Sequence, residues 1–354
     1  MNMEDTNQEF YFQWHITDRC NLRCNHCYQT NYSSRDEISL NQLQTVASGL
    51  FRTLSKWNKK GDISITGGEP LLRSDIWDFV NFLNNAPEII SIDFLTNGTL
   101  IDLNKVDKIK SIAKIRYIQI SIDGANSQTH DKIRGTDSFS KTIKGIRLLI
   151  KNDIEVRVMF TIQKSNLPDI PAMIDLANNE GISGMTFERA VPLGHGSTSE
   201  VNDLSISDVQ TAFNLIADRS EDLKKRGTLP NILMYRPIWV LCDPNILNTS
   251  SDLNGCYGAI CSIGLDGICI LPNADVLPCR RLPISIGNLL SSSLEEIWID
   301  NPLLDEIANK ENLKGKCHDC MFISRCSGCR AMAFAHNSDY MAEDPHCWLG
   351  NNKI

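Results

Sequence analysis

The chain has 354 residues, 42% hydrophobic and 22% charged, with a formal charge of −8 from 35 basic and 43 acidic side chains. Such a chain buries a core and divides into roughly two domains, and its acidic balance argues against non-specific nucleic-acid binding. No run reaches the ~18 apolar residues of a membrane span, and the polar opening Met1–Glu9 lacks the apolar stretch of a signal peptide, so the expected compartment is the cytoplasm.

In chain order, β-rich runs fall at Tyr11–Ile16, Asp62–Thr66, Ser91–Leu95, Tyr117–Ile122, Glu155–Thr161 and Gly184–Glu188. Amphipathic stretches separate them at Ser39–Trp57, Asp75–Asn84, Leu103–Ile112, Phe139–Lys151 and Asp169–Glu180. Alternating strands and helices predict a parallel sheet with right-handed crossovers. Six repeats are too few for an eight-stranded barrel and suit an open, partial (β/α)6 barrel. Unusual polar clusters follow the strand ends, where such folds build their sites.

The first cluster is Cys20, Cys24 and Cys27, in a Cys-x3-Cys-x2-Cys spacing. A closed zinc site or an ordinary iron–sulfur cluster takes four protein ligands; three thiolates leave one iron of a [4Fe–4S] cluster open. After strand 2 comes Gly67-Gly68-Glu69-Pro70. Its two glycines permit a sharp turn and close backbone approach to a ligand, Glu69 adds a carboxylate acceptor, and Pro70 suits the first turn of a helix. A plain strand-to-helix turn would read the same way. Asn97 follows strand 3, Ser121 and Asp123 end strand 4, Arg134 lies in His130-Asp-Lys-Ile-Arg-Gly135, and Glu188 ends strand 6.

From Val191 the pattern breaks. Pro192–Ser199 reads as a linker, a helix follows at about Ser207–Arg226, and Arg236–Asn254 reads as a loop able to cover a site. The expected domains are 1–190, a linker, helix and lid at 191–255, and a cysteine-rich domain at 256–354. That last domain holds Cys256, Cys261, Cys279, Cys317, Cys320, Cys326, Cys329 and Cys347, enough for two four-ligand sites. Without secretion, clustered cysteines read as metal ligands or catalytic thiols. Zinc is one occupant that two Cys-x2-Cys pairs can hold. Of the 13 cysteines, Cys242 and Cys269 remain. Cys269 reads as a buried strand residue; Cys242 is a candidate hydrogen-atom donor or thiol nucleophile, against an inert packing role.

The run Ile16–Tyr28, with its Arg-Cys-Asn-Leu-Arg-Cys context, and Gly67–Pro70 resemble the radical S-adenosylmethionine (radical SAM) enzymes. The later cysteines, Gly287-Asn288 and Leu294–Trp298 resemble that family's SPASM extension. The resemblance implies a [4Fe–4S] cluster on Cys20, Cys24 and Cys27 and a 5′-deoxyadenosyl radical made from SAM. It implies SAM contacts from Gly67, Gly68, Glu69 (to the methionine ammonium), Pro70, Asn97, Ser121, Asp123 and Arg134 (to the carboxylate or ribose), with His26 packing near the adenine. It also implies two auxiliary [4Fe–4S] clusters, on Cys256, Cys261, Cys279 and Cys329 and on Cys317, Cys320, Cys326 and Cys347, three clusters in all. There are departures: Ala274 replaces a usual glycine, Cys326 and Cys329 are spaced x2, where sulfatase-maturing members usually have Cys-x3-Cys, and Arg280-Arg281 follow Cys279, where sulfatase-maturing members carry a catalytic Asp.

The resemblance implies C–H abstraction, first on a peptide or protein (crosslink, epimerisation or backbone excision), with tetrapyrrole side-chain modification as the alternative. A tetrapyrrole would call for cations such as Arg189, Arg280 and Arg281. A non-enzymatic electron carrier or scaffold is a third class, disfavoured by the Gly-Gly-Glu-Pro loop. A flavodoxin or ferredoxin donor is implied. About ten residues precede strand 1, too few for a fused leader-binding domain, so a ribosomal peptide would need a separate leader-recognition protein or recognition by the barrel itself. Glu188 and Cys242 are the catalytic candidates, with no role assigned.

Overall fold

The structure, a computed structural model, describes residues 8–197, 204–234, 236–242 and 261–350. Six strands carry the β/α repeats: β1 (Glu9–His15), β2 (Lys60–Thr66), β3 (Ile89–Thr96), β4 (Ile115–Ser121), β5 (Val156–Ile162) and β6 (Gly184–Arg189). The helices after them are α1 (Leu40–Trp57), α2 (Ile76–Asn84), α3 (Leu103–Lys110), the pair α4 (Ser127–Arg134) and α5 (Ser138–Lys151), α6 (Ile170–Glu180) and α7 (Ile206–Arg226). Then follow β7 (Asn231–Leu233), β8 (Gly267–Ile270), β9 (Asp275–Leu277), β10 (Gly287–Asn288), α8 (Leu294–Trp298), α9 (Pro302–Ala308) and α10 (Arg330–Asn337). Each expected strand and helix of the repeats is present, with ends displaced by at most two residues. This is the α/β, partial (β/α)6 architecture, followed by a cysteine-rich C-terminal region.

The chain forms two compact units: Met1–Asn21, Asn31–Gln119 and Ser262–Ala308 in the first, Leu22–Thr30, Ile120–Cys261 and Asn309–Ile354 in the second. In the first, β1 pairs in parallel with β2 on one side and with β8 on the other. The strand order there is β10-β9-β8-β1-β2-β3-β4. Phe10, Phe12 and Trp14 of β1 are fully buried, and the Phe10 ring meets Trp57 and Trp298 at centroid distances of 5.7 and 5.0 Å. Each such buried side chain contributes about 1.5–3 kcal/mol. Helix α1 starts on a Ser39–Gln42 capping box and buries Leu43, Val46, Leu50 and Leu54.

In the second unit β5, β6 and β7 run parallel, and the end of β4 joins β5 through Ile122 N–H donating to Met159 O at 3.0 Å. Helix α4 was not expected from the sequence. Its buried face is His130, Ile133 and Arg134, so it has no apolar stripe to announce it. Asn126 caps it by accepting from Thr129 N. Cys269 is buried in β8, as expected. Of the expected loop Arg236–Asn254, residues 239–242 form a short 3₁₀ turn with Trp239 and Val240 buried, and 243–254 lie outside the described residues.

Candidate functional site

In the first unit the segments after β1, β2 and β3 are laced together. Gly68 N–H donates to Thr17 O and Glu69 N–H to Arg19 O, each at 2.8 Å. The glycines are required sterically: a Cβ on Gly67 would lie 2.4 Å from Thr17 O, and one on Gly68 2.4 Å from Arg19 O and 2.6 Å from Asp18 O. The Gly-Gly-Glu-Pro loop therefore lies backbone to backbone along the residues leading into Cys20.

Glu69 is fully buried. It accepts from Thr96 Oγ1 at 2.7 Å, Asn97 N at 2.9 Å and Leu71 N at 3.2 Å. Burial pushes its pKa up against those three donors. A carboxylate offers about four acceptor positions, so one is left for an outside donor. Pro70 opens the short helical turn that Glu69 caps. Asn97 also donates from Nδ2 to Asn21 Oδ1 at 2.9 Å, holding the neighbour of Cys20. Asn21 and Thr96 fall outside the SAM-contact set that the resemblance implies, yet both hold residues of that set.

In the second unit Cys24 and Cys27 face Arg134. Its Nε donates to Asp123 Oδ2 at 2.6 Å, and Nη1 lies 3.9 Å from Cys24 Sγ. Asp123 also accepts from Thr161 N at 2.8 Å, so this carboxylate has internal partners. His26 contacts Gln163 Nε2 at 2.9 Å through Nδ1. Burial lowers its pKa to about 4, so the ring is neutral near pH 7 and presents an apolar face. Ser121, at the end of β4, is half-buried. The expected linker serves here as a clamp: Gly196 N–H donates to Cys27 O at 3.1 Å, and a Cβ on Gly194 would sit 2.3 Å from Tyr28 O.

Four further thiols, Cys317, Cys320, Cys326 and Cys347, line one small cavity. The quartet matches the second auxiliary set. Backbone N–H groups of Ile238 and Gly328 point at Cys326 Sγ from 3.3 and 3.4 Å. Burial pushes the Cys326 and Cys347 thiols up to about 11, so a metal must displace protons to bind. Four soft thiols around one cavity suit an iron–sulfur cluster. Of the other quartet, Cys256 lies outside the described residues; Cys261, Cys279 and Cys329 are half-buried.

Pairing and burial constrain three of the candidate side chains. Arg189 is buried and bidentate with Asp344, at 2.7 and 2.8 Å, which removes it from the cations open to a substrate. Glu188 is ion-paired with Arg236. Burial raises the Cys242 thiol to about 12, which suits a neutral thiol and not a thiolate nucleophile. Arg280 lies close enough to β1 to act electrostatically on His15 and Asp18; burial, opposed by that cation, raises Asp18 to about 6.

A family model described as the Radical SAM superfamily matches residues 14–177, and one described as an iron-sulfur cluster-binding domain (SPASM) matches residues 261–321. The AdoMet-dependent heme synthase of Methanosarcina barkeri (strain Fusaro / DSM 804) is 30% identical over 349 residues, spanning 97% of this chain and 97% of that protein. The antilisterial bacteriocin subtilosin biosynthesis protein AlbA of Bacillus subtilis (strain 168) is 25% identical, over 96% of this chain and 71% of AlbA. The crystal structure of Streptococcus suis SuiB bound to precursor peptide SuiA superposes with a TM-score of 0.77, covering 98% of this chain and 76% of SuiB at 18% identity, a likeness of fold. No helix among the described residues is long and apolar enough to cross a membrane.

Proposed function

We propose, for a chain that belongs to the radical SAM superfamily and carries its SPASM iron–sulfur domain, that it abstracts hydrogen from a tetrapyrrole side chain. The observation that carries this reading is the end-to-end match to a heme synthase, 97% of each chain at 30% identity. Arg280, whose charge acts on His15 and Asp18 at and after the end of β1, supports it as a cation suited to a propionate. The cluster held by Cys20, Cys24 and Cys27 would supply the electron that splits SAM. Glu69 would hold the methionine ammonium, Arg134 the carboxylate and His26 the adenine face. Two auxiliary clusters would make three in all. The similarity to AlbA favours a second reading, peptide modification, which the sequence alone had placed first.

The test is anaerobic turnover of the reconstituted chain with SAM and dithionite. An iron porphyrin bearing propionates should raise 5′-deoxyadenosine formation and leave with an altered side-chain mass. If a Cys- or Tyr-rich peptide is altered instead and the porphyrin is untouched, the tetrapyrrole reading fails and the peptide reading replaces it.

A further inference from the structure

Beside the four-thiol cavity stands a cation that the site's chemistry has not yet used. Arg330, the first residue of α10, is only 2% exposed. Its Nη1 donates to Tyr340 O at 2.7 Å and Ala342 O at 2.8 Å. Its Nε and Nη2 are buried and have no hydrogen-bond partner among the described residues. Two unused donors on one buried guanidinium are costly unless something in the functioning protein accepts from them.

Their position indicates the acceptor. A Cβ placed on Gly328 would stand 2.7 Å from Arg330 Nη2 and 3.4 Å from Cys317 Sγ. Gly328, with φ +65°, and Cys317 both line the cavity. Glycine at 328 thus keeps open the space between the guanidinium and the sulfur. Other polar groups nearby are already engaged: Asp344 takes Arg189, Cys329 N and His346 N.

We infer that Arg330 is a positioning residue whose Nη2 donates to the sulfur of an iron–sulfur cluster in this cavity, either Cys317 Sγ or a sulfide, and thereby raises its reduction potential. Reduction adds negative charge to the sulfurs, and a fixed cation with aligned N–H donors stabilises that form more than the oxidised one. The inference rests on the cluster assignment made above.

The test uses the full chain, reconstituted with iron and sulfide, in a redox titration followed by electron paramagnetic resonance. Arg330→Gln removes the charge; Arg330→Lys keeps it and loses the planar fork. In Arg330→Gln, one SAM-insensitive signal should need about tenfold more reducing conditions, a midpoint about 59 mV lower for one electron. Arg330→Lys should shift less. The SAM-responsive signal should not move. Guanidino-¹⁵N arginine should give a nitrogen coupling to the shifted signal in the native protein and in neither variant. If the Gln variant loses its iron, the Lys variant carries the test by the same two readouts. An unshifted potential in an iron-loaded variant, no coupling in the native protein, or loss of iron from both variants overturns the inference. Native protein lacking iron in this cavity would overturn the cluster assignment as well.

Discussion

At the scale of single residues, Glu69 is proposed to serve the fold and SAM with one carboxylate. Three internal donors fix it, and the remaining acceptor position is the one a SAM ammonium would use. Glu69→Gln keeps the shape and removes the charge. Loss of a charge-assisted hydrogen bond costs about 1.5–3 kcal/mol, so SAM affinity should fall by about 10- to 150-fold. Equilibrium dialysis on protein with full iron content measures this. Thr96→Val, which deletes one internal donor and no charge, is the control and should weaken SAM binding less. Equal affinity in native and Gln proteins would remove Glu69 from the SAM site.

At the scale of elements, the β2–α2 loop and the β1 loop form a seam with no room for a side chain. Gly68→Ala forces a Cβ against two backbone carbonyls at 2.4 and 2.6 Å, and backbone cannot step aside as a side chain would. The variant should lose the iron bound through Cys20 while remaining folded. Gly49→Ala, on α1 with its nearest neighbour 3.8 Å away, should be neutral or stabilising by up to about 1 kcal/mol. Full iron in Gly68→Ala would show that the seam is not what orders the cysteine loop. In the second unit, β6 is tied to the segment before Cys347 by Arg189 and Asp344, both buried. Arg189→Met leaves a carboxylate buried without its counter-ion, which should cost about 3–5 kcal/mol. Denaturant titration would read this as a lower midpoint; an unchanged midpoint would mean water reaches Asp344.

At the scale of the whole molecule, the proposed cluster assignment divides eleven thiols three, four and four. Three clusters of four irons give about twelve iron per chain, and replacing Cys20, Cys24 and Cys27 by Ala should leave about eight. Iron and sulfide analysis after anaerobic reconstitution decides it. About four iron with stoichiometric zinc in the native protein would put zinc in the C-terminal region and end the two-auxiliary-cluster reading. Because metal binding contributes to folding, circular dichroism must accompany every cysteine variant.

The sequence by itself determined the β/α alternation, the ends of most elements and the cysteine inventory. Those are local properties, written as period and spacing along the chain. Only the tertiary structure decided which polar groups are spent on one another. Arg134 meets Asp123 eleven residues away and Arg189 meets Asp344 across 155, and neither pairing leaves a period to read. For the same reason α4, which buries His130 and Arg134, has no apolar period to announce it, and Gly194–Ser197 reads as a linker although it clamps the carbonyls of Cys27 and Tyr28. Burial and partner choice are set by what the rest of the chain brings alongside, and in this protein they assign Arg189 to Asp344 and leave two donors of Arg330 beside the four-thiol cavity.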